Sequence, residues 1–275
     1  MLFVAGASPV GAGELRWVQA EFKARKLFMT IDLDMELELL PAAEVLGALP
    51  PAFKGEALEL SGEEAAIVTL RSRRPAQKKE SRLYLDPKTG AALRRFQREW
   101  SDKPDTKDLR YTLTGIARTR SEPVKGEADM SPDQWSQVRQ QFRPFPDTDE
   151  TAVVSDTAAL PFLIATQAWQ GPGQSFEVLV FEDQKFVRVT ATAQRWNDTR
   201  VDYRTKQGAV GGKKRLLEVR VIAAAMDNTG QPDIDLFGLS SDVLLLLDTE
   251  LAVPVEIRGS VAFLGEVRFA LVQVR

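Results

Sequence analysis

The chain has 275 residues, of which 44% are hydrophobic and 27% are charged, and its formal net charge is −3. This composition is ordinary for a globular protein, and the charge is too small to indicate a polyanionic or polycationic partner. The sequence contains no histidine and no cysteine, which excludes histidine-based catalysis, thiol nucleophiles, disulfides and the usual zinc and iron–sulfur sites. Carboxylate catalysis, serine–lysine chemistry and calcium or magnesium sites remain open. No stretch reaches the roughly 18 apolar residues of a membrane-spanning helix.

The first nine residues are small and mostly apolar but have no basic start. Two interpretations fit this segment: a loose N-terminal arm, or the remaining end of a secretory signal whose beginning is missing.

Residues 27–39 carry the clearest pattern of the chain, because apolar and polar side chains alternate almost without error. One parity holds Leu27, Met29, Ile31, Leu33, Met35, Leu37 and Leu39, and the other holds Thr30, Asp32, Asp34, Glu36 and Glu38. Successive side chains of a strand point to opposite faces, so this segment predicts a strand with one apolar and one acidic face. Such strands are typical of antiparallel sheets that cover a core on one side.

Further strand segments flank turn-forming residues and predict hairpins. The predicted turns lie at residues 86–90, 182–185, 207–214 and near Gly265.

Two helices are expected in the middle of the chain. Ser131, followed by Pro132 and Gln134, resembles a helix start and predicts a helix over residues 132–142. Apolar positions predict a second helix over residues 156–169. The predicted fold is therefore mainly β and forms one domain over residues 1–275. We expect a large curved antiparallel sheet, open or barrel-like, with two or three short helices covering one face, and a division at residues 130–172 between two β-halves.

The acidic parity of residues 32–38 has two interpretations. Its carboxylates lie about 6.6 Å apart along one face, a spacing that suits a divalent cation or an acid–base pair. The alternative is a solvated face whose carboxylates pair with arginines on neighbouring strands, such as Arg94, Arg98 or Arg110. Residues 227–235 are rich in oxygen ligands but lack the pattern of an EF-hand, and residues 208–214 depart from a phosphate loop. We expect a plain loop and a hairpin turn there, with no metal and no cofactor.

A basic cluster lies at residues 71–82 and contains Arg71, Arg73, Arg74, Lys78, Lys79 and Arg82. It suits an anionic surface, or it is a solvated loop between strands. The aromatic residues expected of a single-strand binder are not interleaved in it, so no nucleic-acid partner is expected.

The second predicted helix is strongly apolar. Phe162, Leu163 and Trp169 are its candidate ligand-binding residues, which would line a cavity under the sheet. The alternative is that they fill the core.

The C-terminal end resembles the closing hairpin of an uncharacterised family of bacterial envelope proteins. The resemblance is carried by residues 240–242, 251–259 and 263–267, with weaker likeness at residues 83–87 and 109–115. Members of that family typically have a secretory signal and are thought to be β-rich periplasmic proteins of unknown role. The resemblance therefore implies a periplasmic location.

These observations favour a non-enzymatic periplasmic or envelope protein that binds an apolar or amphipathic ligand, such as a lipid, or an envelope protein partner. The alternatives are an assembly scaffold that presents a sheet edge, and a glycan-acting enzyme that uses Asp32, Asp34 and Glu36.

Overall fold

The computed structural model describes residues 17–26, 29–146, 153–182, 184–226, 234–261 and 265–275. Within these ranges it contains fifteen strands and two α-helices, α1 (Ala42–Ala48) and α2 (Leu160–Thr166). The strands are β1 (Gln19–Lys26), β2 (Met29–Pro41), β3 (Glu64–Arg74), β4 (Gln77–Leu85), β5 (Ala92–Trp100), β6 (Asp105–Tyr111), β7 (Gly115–Glu122), β8 (Gln137–Pro144), β9 (Val154–Asp156), β10 (Ser175–Glu182), β11 (Lys185–Thr205), β12 (Gly208–Ala225), β13 (Ser240–Asp248), β14 (Val253–Val261) and β15 (Gly265–Val274). Neither α-helix in these ranges has the length and apolarity needed to cross a membrane.

All fifteen strands belong to one sheet, in the order β8-β7-β6-β5-β4-β3-β2-β1-β15-β14-β13-β12-β11-β10-β9. The N-terminal and C-terminal strands pair at its centre, while β8 and β9 lie at its two edges. The sheet is mixed and not purely antiparallel as predicted, because β9 pairs with β10 in parallel. A parallel pairing of β11 with β15 closes a ring of five strands, β11 to β15.

Strand β2 confirms the predicted alternation over residues 29–38, while Leu27 and Phe28 lie outside the described residues. Ile31, Leu33, Met35 and Leu37 are buried in the main core. We call the face of the sheet that carries them the inner face. Asp32, Asp34, Glu36 and Glu38 point to the opposite, outer face, and Leu39 departs from the pattern because it is exposed.

The strands of the four predicted hairpins pair as expected, although residue 183 and residues 262–264 of two of the turns lie outside the described residues. Asp86 orders the β4–β5 turn by accepting hydrogen bonds from the backbone N–H groups of Lys88 and Thr89, and Gly90 adopts the left-handed conformation with φ of 78°. The glycine-rich residues 208–214 lie in β12 and not in a turn, because β11 and β12 are joined by Lys206 and Gln207 alone.

The basic cluster lies on paired strands, so the expectation of a solvated loop is wrong. Arg74 pairs with Gln77 across a turn that contains only Pro75 and Ala76. The long β3–β4 ladder therefore extends through the cluster and divides it between the two faces. Arg74 and Lys79 lie on the inner face, whereas the other four cations lie on the outer face.

The predicted helix over residues 132–142 is also wrong. Only Pro132–Gln134 form a 3₁₀ turn, after which the chain extends into β8. The buried Trp135, whose indole N–H donates to the Glu127 carbonyl oxygen, anchors this point. Residues 137–144 then pair with β7, and these backbone bonds outweigh the local helix-start signal.

The second predicted helix is confirmed in a shorter form. Asp156 caps a 3₁₀ turn (Thr157–Ala159) that runs into α2, with Pro161 in the first turn of α2 as expected. Every residue of α2 is buried in or beside the main core. By contrast, α1 was not predicted, and its Val45 packs with Ala65 and Ile67 on the outer face. The two helices therefore lie on opposite faces, which corrects the expectation that the helices cover one face.

Candidate functional site

The inner face changes from apolar to polar along three neighbouring strands. On β4, the buried Leu83 and Leu85 share their face with Lys79 and Ser81. Ser81 lies directly opposite Gln97 on β5, and Arg95 precedes Gln97 on the same face. Because this face covers the core, these polar groups lie where apolar side chains are the rule.

The second half of the chain closes over this polar region and leaves a cavity of about 60 Å³, which we call the polar cavity. Its lining combines polar and apolar side chains. Its lining consists of Leu33, Leu70, Ser72, Arg74, Lys79, Ser81, Arg95, Gln97, Thr157, Ala158, Glu182, Asp235, Leu236, Phe237 and Gly238. Residues from five strands, the 3₁₀ turn before α2 and the turn before β13 therefore meet at one point.

Arg95 anchors the deep side of the polar cavity through buried carboxylates. Its Nη1 lies 2.8 Å from Asp156 Oδ1 and 3.8 Å from Glu182 Oε2. Asp156 is fully buried and also accepts from the Tyr111 hydroxyl and from the Ala158 backbone N–H. Such a buried group tolerates its charge only when the surrounding donors and cations satisfy it.

Burial and neighbouring charges shift the pKa values of this cluster. Burial opposes the charge on Arg95, but Asp156 and Glu182 outweigh it and raise the pKa of the guanidinium. Burial raises the pKa of Glu182, even though Arg95 lowers it in part. Burial and the Asp156 carboxylate together raise the pKa of the Tyr111 hydroxyl well above its ordinary value. Tyr111 is thereby held as a hydrogen-bond donor.

Three polar atoms of the cavity wall have no hydrogen-bond partner among the described groups. They are Ser81 Oγ, Arg95 Nε and Gln97 Nε2. Their residues are only 6%, 8% and 3% exposed. Buried polar groups are nearly always paired, because leaving one unpaired costs about 1–3 kcal/mol. Two N–H donors and a hydroxyl group could hydrogen-bond to a ligand that offers oxygen acceptors.

The mouth of the polar cavity is held by contacts between the two halves of the chain. Lys79 Nζ lies 3.6 Å from Asp235 Oδ2, and Arg74 Nη2 donates to the Phe237 carbonyl oxygen at 3.5 Å. Gly238 has a φ of 85°, and a Cβ there would lie 2.3 Å from Arg74 Nη2. The positive φ favours glycine at this turn, and a larger residue would also require the Arg74 guanidinium to move.

In comparisons with known proteins, no protein-family model, curated protein or solved structure matched the chain.

The candidate ligand-binding residues from the sequence lie elsewhere. Phe162 and Leu163 are buried in the main core. Trp169 is partly buried; its indole N–H donates to the Ile164 carbonyl oxygen at 2.8 Å, and its ring packs against Phe176. None of the three candidates lines the polar cavity, so their role as ligand-binding residues stays a prediction.

The acidic stripe of β2 pairs with cations on the two adjacent strands, β1 and β3, and on the next strand, β4. Glu36 meets Arg71 at 2.7 Å, Glu38 meets Arg82 at 3.9 Å and Asp32 meets Lys23 at 3.7 Å. The predicted ion-paired face is confirmed, but its partners come from β1, β3 and β4. Arg94, Arg98 and Arg110 were wrong partners because they lie on β5 and β6, which at least two strands separate from β2.

Metal-binding expectations fall partly outside the described residues. The oxygen-rich loop at residues 227–235 is described only from residue 234 onward, and Asp235 faces Lys79 at the cavity mouth. Among the described residues, no group of three or more acidic side chains is placed to hold a metal ion.

Sequence reasoning missed the polar cavity although a signal was present. On β5 both parities are polar: Arg94 and Arg98 alternate with Arg95 and Gln97. A strand that belongs in a sheet over a core, yet has no apolar face along part of its length, indicates a buried polar site. Asp156, which completes the cluster, comes from a distant segment whose placement no local pattern predicts.

Proposed function

We propose that this protein is a non-enzymatic binding protein that holds the carbonyl-bearing head of an amphipathic ligand in the polar cavity. The observation that carries the proposal is the convergence of three buried, unpartnered polar atoms, Ser81 Oγ, Arg95 Nε and Gln97 Nε2, on one cavity. A carboxyl, ester or amide head offers the oxygen acceptors that these atoms lack. The resemblance noted in the C-terminal hairpin supports placing this activity in the bacterial envelope.

The charges around the polar cavity narrow the class of head group. Three cations, Arg74, Lys79 and Arg95, face three carboxylates, Asp156, Glu182 and Asp235. Because these charges balance, the cavity does not select a multiply charged anion such as a phosphate. A neutral or singly acidic head group fits better. Because the pKa of Glu182 is raised, this carboxyl can keep a proton and share it with an acidic head group.

The apolar part of the lining supports an attached hydrocarbon group. Leu33 and Leu70 share the sheet face with Ser81, and Leu236 and Phe237 come from the turn before β13. The cavity volume of about 60 Å³ suits the head and first carbons of a ligand, with the remaining tail leading out past Gly238 at the mouth. Such sites combine an apolar lining with a few polar groups that fix orientation.

A sheet-edge scaffold is the second candidate, because β8 is an eight-residue edge strand that pairs only with β7 among the described strands. Val138 on β8 is 52% exposed. However, β8 also carries Arg139 and Arg143, and charged side chains on an edge usually discourage strand addition. We therefore rank the scaffold below the ligand-binding protein.

The test is a titration of the protein with dodecanoate, methyl dodecanoate and dodecane. The proposal predicts that the acid and the ester bind and that the double variant Ser81→Ala/Gln97→Met weakens both roughly tenfold, because two hydrogen bonds are lost. Gln140→Met, an exposed glutamine on β8, is the matched control and should change nothing. Equal binding of dodecane, or equal affinity of the double variant for the ester, would refute a role for the polar wall.

A further inference from the structure

The outer face of β4 and β5 carries cations and aromatic rings side by side. Eight side chains line a shallow depression of about 440 Å³, which we call the cation–aromatic trough. They are Lys78, Glu80, Arg82 and Tyr84 on β4, and Arg94, Phe96, Arg98 and Trp100 on β5. All eight share the face opposite the polar cavity, so the trough is a separate site.

Strand pairing sets each ring beside a cation. Lys78 lies opposite Trp100, Arg82 opposite Phe96, and Arg94 opposite Tyr84. The cationic groups lie over the rings: Lys78 Nζ is 4.5 Å and Arg98 Cζ is 4.6 Å from the centre of the Trp100 ring. Along β5, cations and rings alternate in the order Arg94, Phe96, Arg98, Trp100, with about 6.6 Å between successive side chains.

The trough has an excess of positive charge in a chain whose formal net charge is −3. It holds four cations and one carboxylate, Glu80, which is bound by Arg71 at 3.3 Å. Arg94 forms an ion pair with Asp108 at 2.8 Å. Arg82 lies 3.9 Å from Glu38 on β2. Arg98 is partly exposed, and a guanidinium group offers N–H donors that match phosphate oxygens.

We propose that the cation–aromatic trough binds single-stranded nucleic acid. A single strand offers phosphates to the arginines and flat bases to Tyr84, Phe96 and Trp100, the two contacts that define general single-strand sites. A bilayer surface fits less well, because the rings line a depression and a flat surface cannot enter it. The acidic stripe lies on β2, which β3 separates from the trough, and it would direct a polyanion toward β5 and β6.

The sequence pointed away from this partner, because no aromatic residue lies within the linear basic cluster. Hairpin pairing supplies the rings instead: Trp100 lies 22 positions after Lys78, yet the two residues are direct cross-strand neighbours. The inference is independent of the proposed function, since none of the trough residues lines the polar cavity.

The experiment is fluorescence titration of the protein with an oligothymidylate of about ten nucleotides, at several salt concentrations. Wild type should bind, with quenching of tryptophan emission. Trp100→Leu should weaken binding between about 5-fold and about 150-fold. Arg98→Gln should weaken it and reduce the slope of log affinity against log salt by about 0.7. Arg188→Gln, which removes an exposed arginine on β11, is the charge-matched control and should leave the affinity unchanged.

Three outcomes would overturn the proposal. The first is no binding of the oligonucleotide at low salt. The second is an equal loss of oligonucleotide affinity in Arg98→Gln and Arg188→Gln, which would show that only the net charge of the protein matters. The third is binding of vesicles of phosphatidylglycerol, and not of the oligonucleotide, through Arg98 and Trp100, which would make the partner an anionic lipid surface. Circular dichroism of each variant establishes that loss of binding is not loss of fold.

Discussion

Arg95 on β5 and Asp156 at the end of β9 are 61 positions apart in the sequence, yet their side chains meet at 2.8 Å inside the protein. β5 belongs to the first half of the sheet and β9 is the edge strand of the second half. Their ion pair therefore joins the two halves across the core. The same guanidinium supplies one unpartnered N–H to the polar cavity, so the contact that closes the fold also shapes the proposed site.

Asp156→Asn should destabilise the protein by about 3–5 kcal/mol, because it leaves Arg95 charged and buried without its main partner. The measurement is the free energy of unfolding in urea at neutral pH. Asp242→Asn is the matched control: Asp242 pairs with Arg220 at 2.9 Å but is exposed, so its loss should cost about 1 kcal/mol or less. Similar losses for the two variants would contradict the assignment of Asp156 as the link between the halves.

Glu182 should make the protein less stable as the pH rises above about 4.5. Its pKa is raised above the ordinary value of 4.5 by burial, so the folded state keeps a proton that the unfolded chain has already released. By linkage, stability falls as the pH rises from 4.5 through the raised pKa. Glu182→Gln should remove this decline, as measured by urea unfolding at a series of pH values. Parallel pH profiles for the variant and wild type would show that Glu182 does not titrate in this way.

Gln97→Met should leave the free energy of unfolding unchanged within about 0.5 kcal/mol or raise it, because it replaces an unpartnered buried amide by an apolar side chain of similar size. Thr166→Val is the contrasting variant. The Thr166 hydroxyl donates to the Phe162 carbonyl oxygen at 2.9 Å, so its removal should cost about 1 kcal/mol. A comparable loss for Gln97→Met would mean that the Gln97 amide is satisfied within the fold.

Tyr203 should contribute stability that is lost in alkaline solution. Its hydroxyl donates to Asp248 Oδ2 at 3.0 Å, and burial, together with that carboxylate, raises its pKa to about 12 from 10.0. The contribution is complete below pH 10 and falls as the pH rises from 10 to 12. The difference in unfolding free energy between wild type and Tyr203→Phe should therefore shrink over this window. A constant difference would contradict the raised pKa.

The sequence predicted those parts of the fold that local patterns determine. The alternation of β2 and the turn at Asp86 follow from the two-residue period of strands and from turn chemistry. Ser131 and Pro132 misled because a helix start cannot override the backbone pairing that residues 137–144 gain from β7. Helix α1 was missed because only Val45 of its residues is buried, which leaves almost no apolar periodicity.

The polar cavity and the trough depend on which strands become neighbours. Ser81 and Gln97 are separated in the sequence but lie side by side across a hairpin. Asp156 meets Arg95 only because β9, the edge strand of the second half, packs across the core against β5. The residue types alone therefore showed that these strands are polar, but they did not show that the polar side chains meet at one site. Phe162 and Leu163 lie in the core. Sequence alone could not show this, because a helix that fills a core and a helix that lines a cavity carry the same apolar side chains.

Native mass spectrometry with solvent extraction, on protein purified from a bacterial host, tests the central claim most directly. The proposed function predicts that wild type carries a carbonyl-bearing amphipathic molecule at near-unit stoichiometry and that Ser81→Ala/Gln97→Met, folded and purified in parallel, does not. Two results would contradict the assignment of the polar cavity as the ligand site. One is wild-type protein that carries no molecule and binds neither dodecanoate nor its ester. The other is retention of the same molecule by both proteins.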